Sequence, residues 1–369
     1  MPEWRADACE EVTHLVGDQA AAWDLAGVLP VEMLRTLGKQ SLLCAEVPVE
    51  YGGIGAGSSD NGAFTAHVGS LCSSLRSVMT SQGMAAWTIQ RLGDARQRRE
   101  YLPRLTGGEL AAVAFSERDA GSDVTAMATT IRADGDTVVV DGQKAWTTVA
   151  RYADSIVVFG RYGDGGAAVV VPADAPGVTI RPVPNPSGCR AAGHADVSLD
   201  AVRLPASAVL GGGGQQLQLL VTTALAYGRI SVAWGCVGIL RACLSAAGSH
   251  ARTRRQFGRP LAEHQLVARY LAELMAAEQA ATRVCEHASR CWDAGSPEMV
   301  IATVLAKYVG STEAARGAAA AVQVLASAGA QDGHVVARAY RDAKLMELIE
   351  GSTEICQLIL AQHAVAQSR

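Results

Sequence analysis

TVVVDGQKAWTT, residues 137–148, breaks the pattern of everything before it. Three consecutive valines are followed by Asp141-Gly142, a pair that supplies the positive φ values of a tight hairpin. The expectation is a strand, a turn at Asp141-Gly142 and a second strand. SIVVFGRY, AAVVVPA, VTIRPV and ADVSLDAVRLP follow, separated by Gly, Pro and Asp. No helical pattern alternates with these short strands, which argues against a parallel α/β sheet. The simplest architecture for residues 111–212 is a small antiparallel barrel or sandwich.

On either side the period is helical. Residues 1–110 read as helices joined by Gly-rich loops, with Pro30 of DLAGVLPVEMLRTLGKQ at a helix start. YGGIGAGSSDNG (residues 51–62) reads as a loop; its glycines do not fit GxGxxG and no apolar strand precedes them, so a dinucleotide-binding turn is not expected. GGGG (residues 211–214) lacks the Lys and Ser/Thr of a phosphate loop and reads as a linker. In residues 213–369, Ile230, Trp234, Val237, Leu240 and Leu244 form one stripe, and Leu266, Tyr270, Leu274, Ala277, Ala281 and Val284 another. Four long helices of this kind make a bundle. The last two meet around Glu350 to Thr353, where Gly351 supplies a left-handed residue and Ser352 or Thr353 caps the next helix. The fold class is thus α+β: an N-terminal helical domain, a middle antiparallel β domain and a C-terminal four-helix bundle.

Bulk properties exclude several functions. The 369 residues are 49% hydrophobic and 18% charged, enough to bury a large core. A net charge of −4 and a pI near 6.1 argue against a nucleic-acid surface. The densest basic cluster, Arg252, Arg254, Arg255 and Arg259, is a solvated helix end or a phosphate site. Nine cysteines without a CxxC pair fit a reduced, cytoplasmic chain. Scattered histidines without HExxH give no reason to expect a metal. The N-terminus lacks a signal-peptide core, and the apolar run from Ile230 to Leu240 is too short to cross a bilayer. The absence of GxSxG removes hydrolases built on that turn.

Three stretches hold chemistry. AFSERDAGSD (residues 114–123) offers small residues, hydroxyls and backbone N–H groups entering the β region. KAWTT (residues 144–148) sets an indole beside two hydroxyls. Small residues let a flat ring approach the backbone, donors bond its polar edge, and the indole walls one face. An ordinary turn and hairpin explain the same residues, and the alternative stays open on physics alone. In MELIEGSTEI (residues 346–355), a helical run ends on Glu350 against Gly351: a solvated acid, or a base held at a helix junction.

Order and combination add to this. VPVEYGGIGAG, RREYLPRLTGGELAAVAFSERDAGSD, VVVDGQKAWTT, RRQFGRPLAEHQ, YRDAK and IEGSTEI together resemble the acyl-CoA dehydrogenase family over nearly the whole chain. The resemblance implies FAD, an acyl thioester substrate on CoA or an acyl carrier protein, a homodimer or dimer of dimers, and electron-transfer flavoprotein as electron acceptor. Phe115, Ser116, Gly121 and Ser122 would line the flavin and the pantetheine arm. Trp146 and Thr148 would hold the isoalloxazine. Arg254, Phe257, Gln265 and Gln323 would contact the FAD of a partner subunit's site. Ser352 and Glu354 would reach the dinucleotide, and Ser122, Arg229 and Gly351 the substrate. Glu350 would be the catalytic base, removing the α proton while hydride leaves the β carbon for flavin N5. Backbone N–H and ribityl hydroxyl groups would steady the enolate charge.

This chain also departs from the family. Ile349 stands where Tyr is frequent, Ser116 and Ser352 replace Thr, and QVLASAG (residues 323–329) replaces a glycine-richer run. Some relatives carry the acid on an earlier helix, at a position matching Gly228 here. ALAYGR (residues 224–229) lacks an acid used by acyl-CoA-specific relatives. In this the chain is similar to antibiotic-pathway dehydrogenases that oxidise short, hydroxylated acyl groups on a carrier protein, as in methoxymalonyl extender-unit synthesis. Two alternatives stay open: a flavin oxidase on the same scaffold, and a non-catalytic flavoprotein subunit.

Overall fold

The computed structural model describes residues 2–367. Six helices come first: α1 (Glu3–Val16), α2 (Ala20–Ala26), α3 (Val31–Lys39), α4 (Ser58–Leu71), α5 (Ser73–Leu92) and α6 (Ala95–Thr106). Pro30 immediately precedes α3, where its fixed φ suits entry to the helix. The expected loop at residues 51–62 is only half a loop, because α4 begins at Ser58. Its first N–H groups are bonded by a distant carboxylate: Ser58 N–H donates to Asp293 Oδ1 at 2.6 Å. A cap supplied from 235 residues away has no local signature.

Seven strands follow: β1 (Ala111–Ala114), β2 (Thr130–Asp134), β3 (Thr137–Thr147), β4 (Ser155–Tyr162), β5 (Gly165–Pro172), β6 (Val178–Pro182) and β7 (Ala195–Pro205). They form one sheet in the order β1-β4-β2-β3-β7-β6, with β5 also on β4. Most pairings are antiparallel, but β1 runs parallel to β4, and β2 touches β4 in parallel. The expectation of a purely antiparallel region is corrected here. A whole hairpin, β2–β3, intervenes between β1 and β4, and a long connection of that kind permits parallel neighbours.

The hairpin at Asp141-Gly142 is also corrected. β3 runs straight through these residues, and the tight connection lies between Asp134 and Thr137. Gly142 marks a register shift against β7 instead. The Thr129 side chain occupies the place where a Cβ on residue 142 would stand, so the glycine serves close approach, not a turn.

β4 and β5 are buried along nearly their whole length. Val157 and Phe159 face one core shared with the C-terminal helices, while Ile156 and Val158 face another shared with the N-terminal ones. Two-sided burial explains the continuous apolar runs SIVVF and AAVVV. Each large side chain so buried contributes about 1.5–3 kcal/mol.

Gly211–Gly214 is not a loose linker. Gly166 N–H donates to Gln215 O at 2.7 Å and Gly214 N–H to Gly166 O at 2.9 Å, which fastens the connection to the sheet. Five helices then complete the chain: α7 (Leu217–Thr253), α8 (Gln265–Asp293), α9 (Met299–Leu325), α10 (Val335–Leu348) and α11 (Thr353–Gln367). At 37 residues, α7 is long and apolar enough to cross a membrane, yet 72% of its most apolar window is buried in the protein. The sequence reading, limited to Ile230–Leu240, underestimated this helix. Leu266 is corrected as well: it lies in the exposed first turn of α8, outside the core that holds Leu274, Ala277 and Ala281.

Candidate active site

The joint between α10 and α11 is tightly specified. Ile349 is extended, and both Glu350 (φ 56°) and Gly351 (φ 92°) are left-handed. A non-glycine residue in that region is strained, by about 1–3 kcal/mol, and persists where surroundings dictate it. Here they do. Arg229 Nε donates to Glu350 O at 3.1 Å, and Lys307 Nζ donates to Gly351 O at 2.6 Å and Glu347 O at 3.1 Å. Ser352 Oγ accepts from Ile355 N–H at 3.4 Å and opens α11.

The Glu350 residue keeps some surface, but its carboxylate Oε2 is fully shielded and has no hydrogen-bond partner. Burial raises its pKa to about 7, against the pull of Arg229, Lys307 and Arg76. Gly228 makes this position available: a Cβ there would coincide with the Glu350 carboxylate.

Across the cavity, AFSERDAGSD and KAWTT are locked together. Lys144, fully buried, places Nζ 2.7 Å from Glu117 Oε1 and donates to Phe115 O at 3.3 Å. Glu117 also accepts from Ala128 N–H at 2.6 Å, Thr129 N–H at 3.0 Å and the Thr129 hydroxyl. Burial pushes the Glu117 carboxyl up; Lys144 and these donors outweigh it and hold it low. Ala145 N–H donates to Ser116 O at 2.9 Å. The clasp sets Trp146 at φ 55°, its N–H on Asp196 Oδ1 at 3.1 Å. Thr148 Oγ1 lies 3.2 Å from His194 Nδ1.

These two constructions face one cavity of about 640 Å³. Of the residues expected from sequence, Phe115, Ser116, Gly121, Ser122, Trp146, Thr148, Arg229, Glu350, Gly351 and Ser352 line it. Arg254, Phe257, Gln265, Gln323 and Glu354 do not; all five are exposed. Arg254 and Phe257 lie at a short hairpin between α7 and α8, formed by β8 (Arg255–Gln256) and β9 (Arg259–Pro260).

Sequence reasoning missed four contributors. The Lys144–Glu117 pair left no spacing signal. His194 lines the cavity with a buried Nε2 that has no hydrogen-bond partner; nor has the Oγ1 of Thr147, one of the two hydroxyls expected from KAWTT. Arg76 is buried in the cavity wall, with Nη1 on Thr80 Oγ1 at 3.0 Å, Nη2 against Met346 Sδ at 2.9 Å and Nε without a partner. No carboxylate forms a salt bridge with it among the described residues. The only local hint was Arg76 within SSLRSVMTS (residues 73–81), the otherwise apolar and hydroxyl-bearing first half of α5. Among the described residues one group of three metal-ligand side chains converges, His287, Cys291 and Glu298 at the α8–α9 turn, and none of them lines this cavity.

Such a chamber has a shielded acid at one end and an aromatic, hydroxyl-bearing wall at the other. The arrangement can take a proton from a carbon acid held beside a flat ring. Comparison with known proteins agrees. The acyl-CoA dehydrogenase N-terminal domain matches residues 3–109, the middle domain residues 112–202 and the C-terminal domain residues 219–365. The Bacillus subtilis protein named "Probable acyl-CoA dehydrogenase YngJ" is 32% identical over 347 residues, 92% of this chain and 91% of that one. The glutaryl-CoA dehydrogenase of Desulfococcus multivorans is 30% identical, covering 93% of this chain and 90% of its own. The solved structure titled FkbI, for biosynthesis of the methoxymalonyl extender unit of the FK520 polyketide, is 66% identical with a TM-score of 0.93, over 97% of this chain and 99% of that one. The chain belongs to the acyl-CoA dehydrogenase family.

Proposed function

We propose that this protein is an FAD-dependent dehydrogenase of acyl thioesters, with Glu350 as its catalytic base. The observation that carries the reading is the bare, shielded Glu350 carboxylate in the cavity that Ser116, Trp146 and Thr148 also line. Those residues fit a flavin. Trp146 has 52% of its surface uncovered, and the Thr147 hydroxyl in the cavity wall is shielded and has no hydrogen-bond partner.

FAD, when bound, supplies the acceptor for hydride from the substrate's β carbon. The chain's own residues do the rest. Glu350 takes the α proton; its raised pKa makes it a stronger base than an exposed carboxylate, and the dry pocket strengthens every dipole aimed at the developing enolate. Arg229 and Lys307 fix the backbone on either side of it, so the carboxylate is held in one place. Phe115, Ser116, Gly121 and Ser122 line the flavin and the pantetheine arm, with Ser122, Arg229 and Gly351 on the substrate.

The acyl group carries oxygen at its far end. Support comes from Arg76, a buried cation without a carboxylate partner, beside Thr80 and Ser231, whose hydroxyls lie 2.7 Å apart. The FkbI relative, named for biosynthesis of a methoxymalonyl extender unit, favours a short, oxygen-bearing acyl group over a fatty one, and a carrier protein is its proposed attachment here. Arg254, Phe257, Gln265 and Gln323 are assigned to the FAD of a partner subunit's site in a homodimer or dimer of dimers, and Ser352 and Glu354 to the dinucleotide. Electron-transfer flavoprotein is the proposed acceptor, the cytoplasm the proposed location, and 1–110, 111–212 and 213–369 the proposed domains.

The test is spectroscopic. The purified protein should carry a flavin spectrum that bleaches on addition of a hydroxylated acyl group bound to a carrier protein, and less readily with the CoA thioester. A protein that binds no flavin, or whose Glu350→Gln variant bleaches at the native rate, refutes the assignment. Fast reoxidation by air with peroxide release would make it an oxidase.

A further inference from the structure

His194 lies behind the Thr148 hydroxyl and on the wall between two cavities. It lines the active-site chamber and a second one of about 670 Å³ that also includes Arg151 and Arg190. Its ring centroid is 5.8 Å from that of Trp146. Its Nδ1 is 3.2 Å from Thr148 Oγ1, while its Nε2 is shielded and has no partner within hydrogen-bond geometry. The Cys189 backbone also acts on the ring: its carbonyl accepts from Ala192 N–H at 2.9 Å and keeps a second lone pair toward the imidazole.

We propose that His194 is a positioning residue that sets which way the Thr148 hydroxyl offers its hydrogen to the bound flavin. This rests on the flavin reading above. A neutral imidazole has one donor and one acceptor nitrogen. With the proton on Nδ1, His194 donates to Thr148 Oγ1, and the hydroxyl hydrogen is free to point into the cavity. With the proton on Nε2, Nδ1 accepts from the hydroxyl, and Thr148 turns only lone pairs toward the cavity. Burial, with the Arg76 charge nearby, pulls the imidazole down to about 4, so it is neutral throughout the physiological range and one of these two arrangements always holds.

The distinction matters because a flavin's polar edge changes with its redox state. Ring nitrogens that only accept hydrogen bonds when oxidised carry N–H groups when reduced. A hydroxyl fixed as donor favours the oxidised ring, and one fixed as acceptor favours the reduced ring. A freely rotating hydroxyl would serve both. His194 therefore acts on the ratio of affinities for the two states, through Thr148 and without touching the substrate.

The experiment is a double-mutant cycle read as flavin midpoint potential on the holoenzyme without substrate. His194→Phe should shift the oxidised-to-reduced affinity ratio at least tenfold, about 30 mV for a two-electron couple. In a Thr148→Val background the same change should shift it less than a third as much. His194→Gln, which keeps a polar group of similar reach, should recover part of the native value; it also carries the test if the Phe variant does not fold. An unchanged potential in both variants, or an equal shift with and without the Thr148 hydroxyl, overturns the role of His194 while leaving the flavin reading intact. A native protein without a flavin spectrum sinks that reading itself.

Discussion

Two aromatic residues assigned to the flavin, Trp146 and Phe257, share a strained backbone and little else. Their φ values are 55° and 49°. Trp146 is held from behind by the buried Lys144–Glu117 clasp and by Asp196. Phe257 stands at the tip of the β8–β9 hairpin, 93% exposed. The chain builds the inner wall of its site alone; the outer set, Arg254, Phe257, Gln265 and Gln323, lies open on its surface. The difference teaches that folding alone finishes one part of the proposed site, while the residues proposed to contact a partner subunit's FAD remain exposed on this chain.

That contrast can be broken in several places. The largest effect belongs to Glu350→Gln, which should retain FAD and slow substrate-driven bleaching about 10²–10⁴-fold, as removal of a general base does; stopped-flow absorbance measures it. Next comes Lys144→Met, which takes the cation from the Glu117 carboxylate while its bonds from Ala128 and Thr129 remain, and should cost up to about 3 kcal/mol in denaturant unfolding. The exposed Arg283–Glu286 pair, 2.8 Å apart, should lose under about 1 kcal/mol on the equivalent change. Gly228→Ala should displace the Glu350 carboxylate and slow turnover about 100-fold, the cost of a misplaced group. Gly248→Ala, with nothing near its Cβ, should leave turnover as it was. Phe257→Ala should weaken FAD retention by about 1–2 kcal/mol without altering the chain's own unfolding, a separation that equilibrium dialysis beside calorimetry resolves.

Smallest is the pH effect, which has two signs. Glu350 must be ionised to accept a proton, so kcat/KM should climb through about 7 and then level. For folding, a carboxyl raised from 4.5 to about 7 keeps its proton after the unfolded chain has lost it. Its contribution is full below the unfolded value and fades as pH rises through the folded one. The native protein's melting temperature should therefore fall relative to Glu350→Gln between about pH 5 and pH 8. Glu46, also raised to about 7 by burial, gives both proteins a common decline.

What could be read beforehand was whatever depends on near neighbours. The helical stripes around Trp234 and Leu240, the change of period at residues 137–148 and the acid-glycine stop at 350–351 are all local patterns. Features set by distant segments were not legible. Gly142 looked like a turn because Thr129 is not beside it in sequence. Ser58 looked like a loop because Asp293 caps it from another helix. Lys144, one of only four lysines, took no role of its own within KAWTT because nothing local announces Glu117 as its buried partner. Arg76 and His194 had no motif, since their importance lies in which cavity they face.

The overlap between the Gly228 Cβ position and the Glu350 carboxylate makes the two sites mutually exclusive addresses for one functional group. A side chain growing from α7 and one growing from the α10–α11 joint would meet in the same small volume, from opposite directions. The acid can thus migrate between them in evolution only by exchange, gained at one as it is surrendered at the other. Gly228→Glu with Glu350→Gly performs that exchange in a single step, and the glycine it places at a φ of 56° relaxes the backbone it inherits.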